Sequence, residues 1–292
     1  VAMLPAISRC DDSEALLASL PPADDPQLEQ TVARDRSVLA RAQAHEDVGQ
    51  YAESLALVNP VLAGEAAAGY RPLLAEALLQ RGSAHMWAGD GEAAHRYFEQ
   101  ALYAALATGH APVAARAASR DLFVRGELQR QADQALADKP LAEALVEHTG
   151  DPLIRGEFLN NLGVVAVAAG DLDRGLTLAR EALALKERWL PDGHRELFYT
   201  RSNLAAGLLA ARRFAEAAGE FERLLADAQR TLGEHHPLTT GIEANLGYAL
   251  REAGDLRGAF ARLEHASKVA TAIGMTAQPS PAYFAVELGA AA

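Results

Sequence analysis

Apolar residues recur along this chain at helical spacing, in segments punctuated by a glycine and an acidic residue. Between Asp151 and Trp189 the pattern is clearest. Phe158, Leu159, Leu162, Val165 and Ala166 share one face of a helix. Asp151-Pro152 opens that helix as an N-cap followed by proline at the first helical position, where its missing N–H costs nothing. Gly170 is placed to take the left-handed turn that ends it. Asp171 caps a second helix carrying Leu172, Leu176, Ala179, Leu183 and Leu185. Leu190-Pro191-Asp192-Gly193-His194 then breaks the pattern, and Leu232-Gly233-Glu234-His235-His236-Pro237 makes a matching break 42 residues later. The predicted unit is a pair of antiparallel helices.

That unit repeats. Asn161-Leu162-Gly163 leads to Gly170-Asp171-Leu172, Asn203-Leu204-Ala205 to Arg212-Arg213-Phe214, and Asn245-Leu246-Gly247 to Gly254-Asp255-Leu256. Upstream, Gln80-Arg81-Gly82 leads to Gly89-Asp90-Gly91, and Ala40-Arg41-Ala42 to Gly49-Gln50-Tyr51. One column therefore runs Ala40, Gln80, Asp121, Asn161, Asn203, Asn245, with steps of 40, 41, 40, 42 and 42 residues. A single helix pair cannot bury both its faces, but stacking can. The fold class is all-α: a right-handed superhelical solenoid of about six helix pairs. Gly82, Gly163, Ala205 and Gly247 share a column where a small residue lets the paired helices close up. Leu204 and Leu246 are expected in the core between repeats. The copy over 112–150 is irregular, and Pro140 is expected to kink its second helix. The array spans 27–274. Residues 1–26 form a connector with a short helix from Ser13 to Leu20, and 275–292 a tail or capping helix.

Composition narrows the function. Half of the 292 residues are apolar, mostly Ala and Leu, and the net charge is −12. A nucleic-acid partner is disfavoured, because binding needs a basic stripe. No apolar run reaches the length of a membrane helix, so direct membrane insertion is not expected. Cys10 is the only cysteine, which excludes an intrachain disulfide or a cysteine-based zinc site. It reads as a small apolar residue of the N-terminal connector. The start, Val1-Ala2-Met3-Leu4, has no basic flank of a signal peptide, and a chain beginning with Val reads as a fragment or processed form. His235-His236 is the only histidine cluster and lacks a local third ligand. No nucleophile elbow or His-Glu-x-x-His is found. No catalytic residue, metal or cofactor is assigned.

The Leu-Gly column, the Gly-Asp-Leu turn and the small Ala217 and Ala259 resemble the tetratricopeptide repeat. The 42-residue step and the "LGEHHP" break resemble the longer variety of kinesin light chains. In addition, "RCDDSEALLASLPPADDP", "AHEDVGQYAESLALV" and "LAEALVEHTGDPLIRGEFLNNLG" resemble the C-terminal region of large myxobacterial-type serine/threonine protein kinases. The kinase catalytic motifs are absent. That resemblance implies a sensor or scaffold part of a bacterial signalling kinase, on either side of a membrane.

Tetratricopeptide proteins line a concave groove with their first helices, and the resemblance implies a peptide held there by an asparagine ladder. An amide both donates and accepts, so a ladder can hold a main chain without reading side chains. The expected groove comprises Asn161, Asn203, Asn245 and Gln80, with Arg120, Asp121, Glu157, Tyr199 and Tyr248 beside them. Glu76 falls on the same face. Trp87 returns to it but reads more readily as core. The expected partner is a protein or peptide segment. Two further readings stand: an active site built on the repeat helices around carboxylates and Arg120, and a structural module for self-association.

Overall fold

The computed structural model describes residues 20, 23 and 25–273. Cys10, the Ser13–Leu20 helix up to its last residue, and the 275–292 tail lie outside the described residues. Among the described residues the chain forms thirteen α-helices and no strand. They are α1 (Pro26–Asp47), α2 (Tyr51–Leu62), a short α3 (Glu65–Gly69), α4 (Arg71–Trp87), α5 (Gly91–Leu106), α6 (Ala111–Phe123), α7 (Ala132–Thr149), α8 (Pro152–Ala168), α9 (Leu172–Trp189), α10 (Arg195–Ala210), α11 (Phe214–Leu232), α12 (Pro237–Ala253) and α13 (Leu256–Ala272). Apart from α3 they make six consecutive pairs: an all-α repeat solenoid.

The helix starts are chemically explicit. Asp25, Asp90, Asp151, Asp171 and Asp255 each accept a hydrogen bond from a backbone N–H of the first turn. His194 and His236, in the two repeat breaks, do the same through Nδ1, from the N–H groups of Glu196 and Leu238. Gly170 and Gly254 end α8 and α12 in the left-handed region, at φ 87° and 94°. In the equivalent turn after α10 that work falls to Arg212, at φ 58°, a conformation that strains a side chain.

Within each pair the small-residue column sets the approach. A Cβ on Gly82 would lie 2.7 Å from the Phe98 ring, and one on Gly247 would lie 2.7 Å from Leu263. Between pairs, Leu162 and Leu246 are buried. Leu204 is only half-buried, against the same cluster as Leu246. Its expected burial is thus met in part.

The irregular middle repeat departs from the pattern in its first helix. After Phe123 the chain widens into a π turn, Val124–Leu128, and then reverses through Arg130 at φ 57°. Here the backbone comes so close to α8 that a Cβ on Gly126 would lie 2.7 Å from Val165. α7 meanwhile runs through Pro140 without interruption. Pro140 is exposed.

The stack also curls far enough to meet itself. Arg195, at the start of α10, pairs with Asp47 at the end of α1. Pro237, at the start of α12, approaches Gly49, where an added Cβ would lie 3.1 Å from its ring. Trp87, at the end of α4, stacks on Tyr199 of α10 with ring centroids 5.3 Å apart. The turn of the first pair therefore rests on the fifth and sixth, and the first helices enclose an interior.

Two stability outcomes follow. Arg212→Gly should raise the unfolding free energy by about 0.5–1 kcal/mol in chemical denaturation, since glycine takes this turn without strain. Leu246→Ala should lower it by roughly 2–5 kcal/mol, and Leu204→Ala by less, in proportion to its partial burial.

Candidate functional site

The amide column faces the preceding first helix. Gln80 Nε2 donates to Glu46 Oε1 at 2.7 Å. Asn161 Nδ2 donates to Ser119 Oγ at 3.1 Å and to the Ser119 carbonyl at 3.3 Å. Asn203 Nδ2 donates to Asn160 Oδ1 at 3.1 Å. Asn161 and Asn245 are 8% and 3% exposed. In place of the expected ladder of open amides, Gln80, Asn161 and Asn203 each bond the preceding first helix, and Asn161 and Asn245 are buried. Burial decides it, because an amide sealed between helices must find its partners there.

Asp121 is corrected too. It turns away from the interior and meets His95 of α5, with Nδ1 to Oδ1 at 2.7 Å, on the wall of a separate cavity that also holds Arg125 and Asp138. Glu76 binds Arg36 through both oxygens, a link between the first two pairs.

The remaining predicted residues do converge. Arg120, Glu157, Asn161, Tyr199 and Asn203 line one interior cavity of about 50 Å³, together with Glu46, Trp87, Asn160, Lys186, Arg195 and Glu196. Tyr248 and Asn203 line an adjoining cavity of about 240 Å³. The two cavities share Phe123, Asn160 and Asn203 as walls. The larger one is apolar, floored by Val164, Val167, Leu176, Ala206 and Leu209, and Glu127 of the π turn reaches its wall.

The charges in the smaller cavity are paired in a chain. Arg120 donates through Nε to Glu157 Oε1 at 2.6 Å and through NH1 to Ser83 Oγ at 2.5 Å, bridging three successive first helices. Lys186, 2% exposed, donates to Glu196 Oε2 at 2.9 Å and to Thr200 Oγ1 at 3.0 Å. Burial alone would raise the Glu196 pKa, but Lys186, with Arg195 and Arg120, holds the carboxyl well below the usual range. Glu46 is the exception. Its Oε1 accepts from Ser54 and Gln80, while its buried Oε2 has no hydrogen-bond partner. Burial pushes this carboxyl up to about 8, against the pull of Arg120 and the Ser54 hydrogen bond.

Sequence reasoning missed Asn160, Glu46, Lys186, Arg195 and Glu196. Two of them left a trace. Asn160 precedes Asn161, so one residue of rotation decides which amide faces the interior. Lys186 is one of only three lysines, and it passes over Gly156, where a Cβ would lie 3.0 Å from its stem. Glu46 and Arg195 come from pairs brought together by the curl of the stack, which no local spacing records. Among the described residues no helix is long and apolar enough to cross a membrane, and no group of three or more His, Cys, Asp or Glu could hold a metal ion.

Residues 157–196 and 198–238 match the family model of the tetratricopeptide repeat. Those two segments are tetratricopeptide repeats. No curated protein sequence matches it. Solved structures of similar fold include BtubC (BKLC) from P. vanneervenii, at 19% identity and a TM-score of 0.55, covering 87% of this chain and 95% of that one. A kinesin light chain of nearly identical TPR-like repeats from Podosopora anserina follows at 17% identity and 0.52, covering 71% of this chain and 99% of that one. A Rap protein complexed with competence and sporulation factor aligns at 9% identity and 0.60, covering 81% and 75%. At these identities the likeness is one of fold, and the long kinesin light chain type of repeat is among the folds it resembles.

The raised Glu46 sets a pH dependence for the helical array. Above about pH 4.5 the unfolded chain has released the proton that the folded chain still holds, so the native state binds more protons and stability falls as pH rises from about 4.5 to about 8. Glu46→Gln should flatten that slope, as measured by denaturant unfolding at about pH 5 and about pH 8.5. An unchanged slope would show that Glu46 is ionised within the fold.

Proposed function

We propose that this tetratricopeptide array is a binding module that holds a protein or peptide segment against its interior, as the sensory or docking part of a larger signalling chain. The observation that carries this reading is the pair of adjoining cavities on the first helices. One is apolar and about 240 Å³, the size for a large apolar side chain. The other is polar and fixed by Arg120, Glu157 and Asn160, with Asn203 between them. Apolar space with a few placed polar groups is the usual composition of a ligand site. An apolar side chain would anchor in the first, while Asn203 and Asn160 meet the neighbouring main chain.

The Rap structure, which holds competence and sporulation factor, supports the idea that a stack of this shape accommodates a ligand. The resemblance of Arg9–Pro26 and the segments after it to the C-terminal region of myxobacterial-type kinases supports placing the array in such a kinase. The reading of an active site on the repeat helices would draw on Glu46, a carboxyl raised to about 8. Its Oε1 is taken by two donors and its Oε2 is closed to solvent, so neither oxygen is free to work on a substrate.

The test is selection from a random displayed peptide library on the wild-type chain, followed by titration of enriched peptides against Ala206→Phe. Ala206 is half-buried on the wall of the larger cavity, so the new ring fills the space without invading the core. Enriched peptides should share a large apolar residue, and the variant should bind them at least about tenfold more weakly. No enrichment, or unchanged affinity in the folded variant, would overturn the proposal.

A further inference from the structure

Asp121, turned away from the interior, lines a separate cavity of about 180 Å³ between α5, α6 and α7. Phe98 and Leu102 of α5, Leu122 of α6 and Ala142 of α7 give it an apolar floor. Tyr103 and Leu141 stand in its walls and are 62% and 51% exposed, so solvent reaches it between them. It lies on the side of the second helices, away from the two cavities on the first helices.

The register of the repeats makes this place an exception. His95 falls in the column of the buried Leu176 and Ala218, and Arg125 in that of the buried Val165, Gly207 and Ala249. Between the fourth and fifth pairs these two columns meet as packing: a Cβ on Gly207 would lie 3.0 Å from Leu176 Cδ2. Between the second and third pairs the same junction carries His95, Asp121 and Arg125, with the cavity beside them. Exchanging apolar packing for charge and open space costs stability, and breaks of a local rule gather at functional sites.

The charges around this cavity do not balance. Arg125 is answered by Asp138, and Asp121 by His95. Glu99, from α5 on the same wall, has no ion-pair partner among the described residues. With His95 neutral, three carboxylates face one guanidinium. Burial raises the Asp121 pKa, and the neighbouring Asp138 adds to the rise, so a further cation there would relieve both carboxylates.

We propose that this cavity receives an arginine side chain of a partner protein, with the stem along Leu102 and Leu141 and the guanidinium among Glu99, Asp121 and Asp138. Shape and charge together select that occupant. An arginine stem is apolar while its head stays charged. Its planar fork presents five donors, which suits carboxylates arriving from three different helices. The exposed Tyr103 ring is placed to cover the face of the guanidinium. The net charge of −12 favours a basic partner from a distance.

The probes that test this are N-acetyl-arginine amide and N-acetyl-citrulline amide, which has the same shape without the charge. Each is titrated into the methyl-labelled full chain and followed by NMR. The arginine probe should shift the methyl signals of Leu102, Leu122 and Leu141 to saturation, and the citrulline probe should bind at least about tenfold more weakly. Glu99→Gln changes an exposed side chain and leaves the packing alone. It should weaken the arginine probe about threefold and leave the citrulline probe unchanged. Ala206→Phe, which fills the larger interior cavity, should alter neither, so a failure of the interior binding reading is told apart from a failure here. Equal binding of the two probes, no saturable shift at the three leucines, or full arginine affinity in Glu99→Gln would overturn the proposal.

Discussion

The separation of the two helices in each pair governs the rest of this molecule. It is set by one small residue, and where that residue is Gly82 or Gly247 the opposing side chain occupies the space a Cβ would need. Interhelical contact this close leaves no room for variation, so each pair joins the next in nearly the same way. Repetition of one geometry makes a curve, and the curve here brings Asp47 to Arg195 and Trp87 to Tyr199. Local packing at glycine thereby determines that residues from the first, second and fifth pairs share an interior.

That interior is polar where the first helices face one another. Gln80 to Glu46, Arg120 to Ser83 and Glu157, Asn161 to Ser119, and Asn203 to Asn160 run along it from helix to helix. Buried polar groups need partners, and each of these bonds also fixes the rotation of one repeat against the next. Apolar contacts between Ala and Leu tolerate sliding, whereas a hydrogen bond between named atoms does not. The amides thus define how far the stack turns per step, and with that the shape of the two cavities.

The period, the pairing and most helix starts were legible in the sequence, because they depend on local chemistry: Asp151 before Pro152, Gly170 before Asp171, Leu246 at the face that stacks. The middle repeat showed its irregularity through lost consensus at Asp121, but nothing local announced the π turn at Val124–Leu128. α7 stays helical through the exposed Pro140, and the π turn packs beside Val165. The site was legible only in outline. The column of asparagines marked the first helices, but an amide can bond a ligand or a neighbouring helix, and nothing in the spacing says which. The partners of Glu46 and Arg195 depend on the accumulated curvature of several pairs, which is a property of the whole stack.

The two histidine caps give the seam between distant repeats a chemical character of its own. His194 and His236 each begin a helix by offering a ring lone pair to a backbone N–H. Burial depresses both pKa values, so the rings are held neutral. Both stand at the edge where the first pair meets the fifth and sixth, and the ring of His236 also meets the backbone of Asp47. Proton uptake below the ordinary imidazole range removes the lone pair, unhooks the starts of α10 and α12 together, and opposes folding there. The place where the superhelix closes consequently carries two groups whose protonation opposes folding.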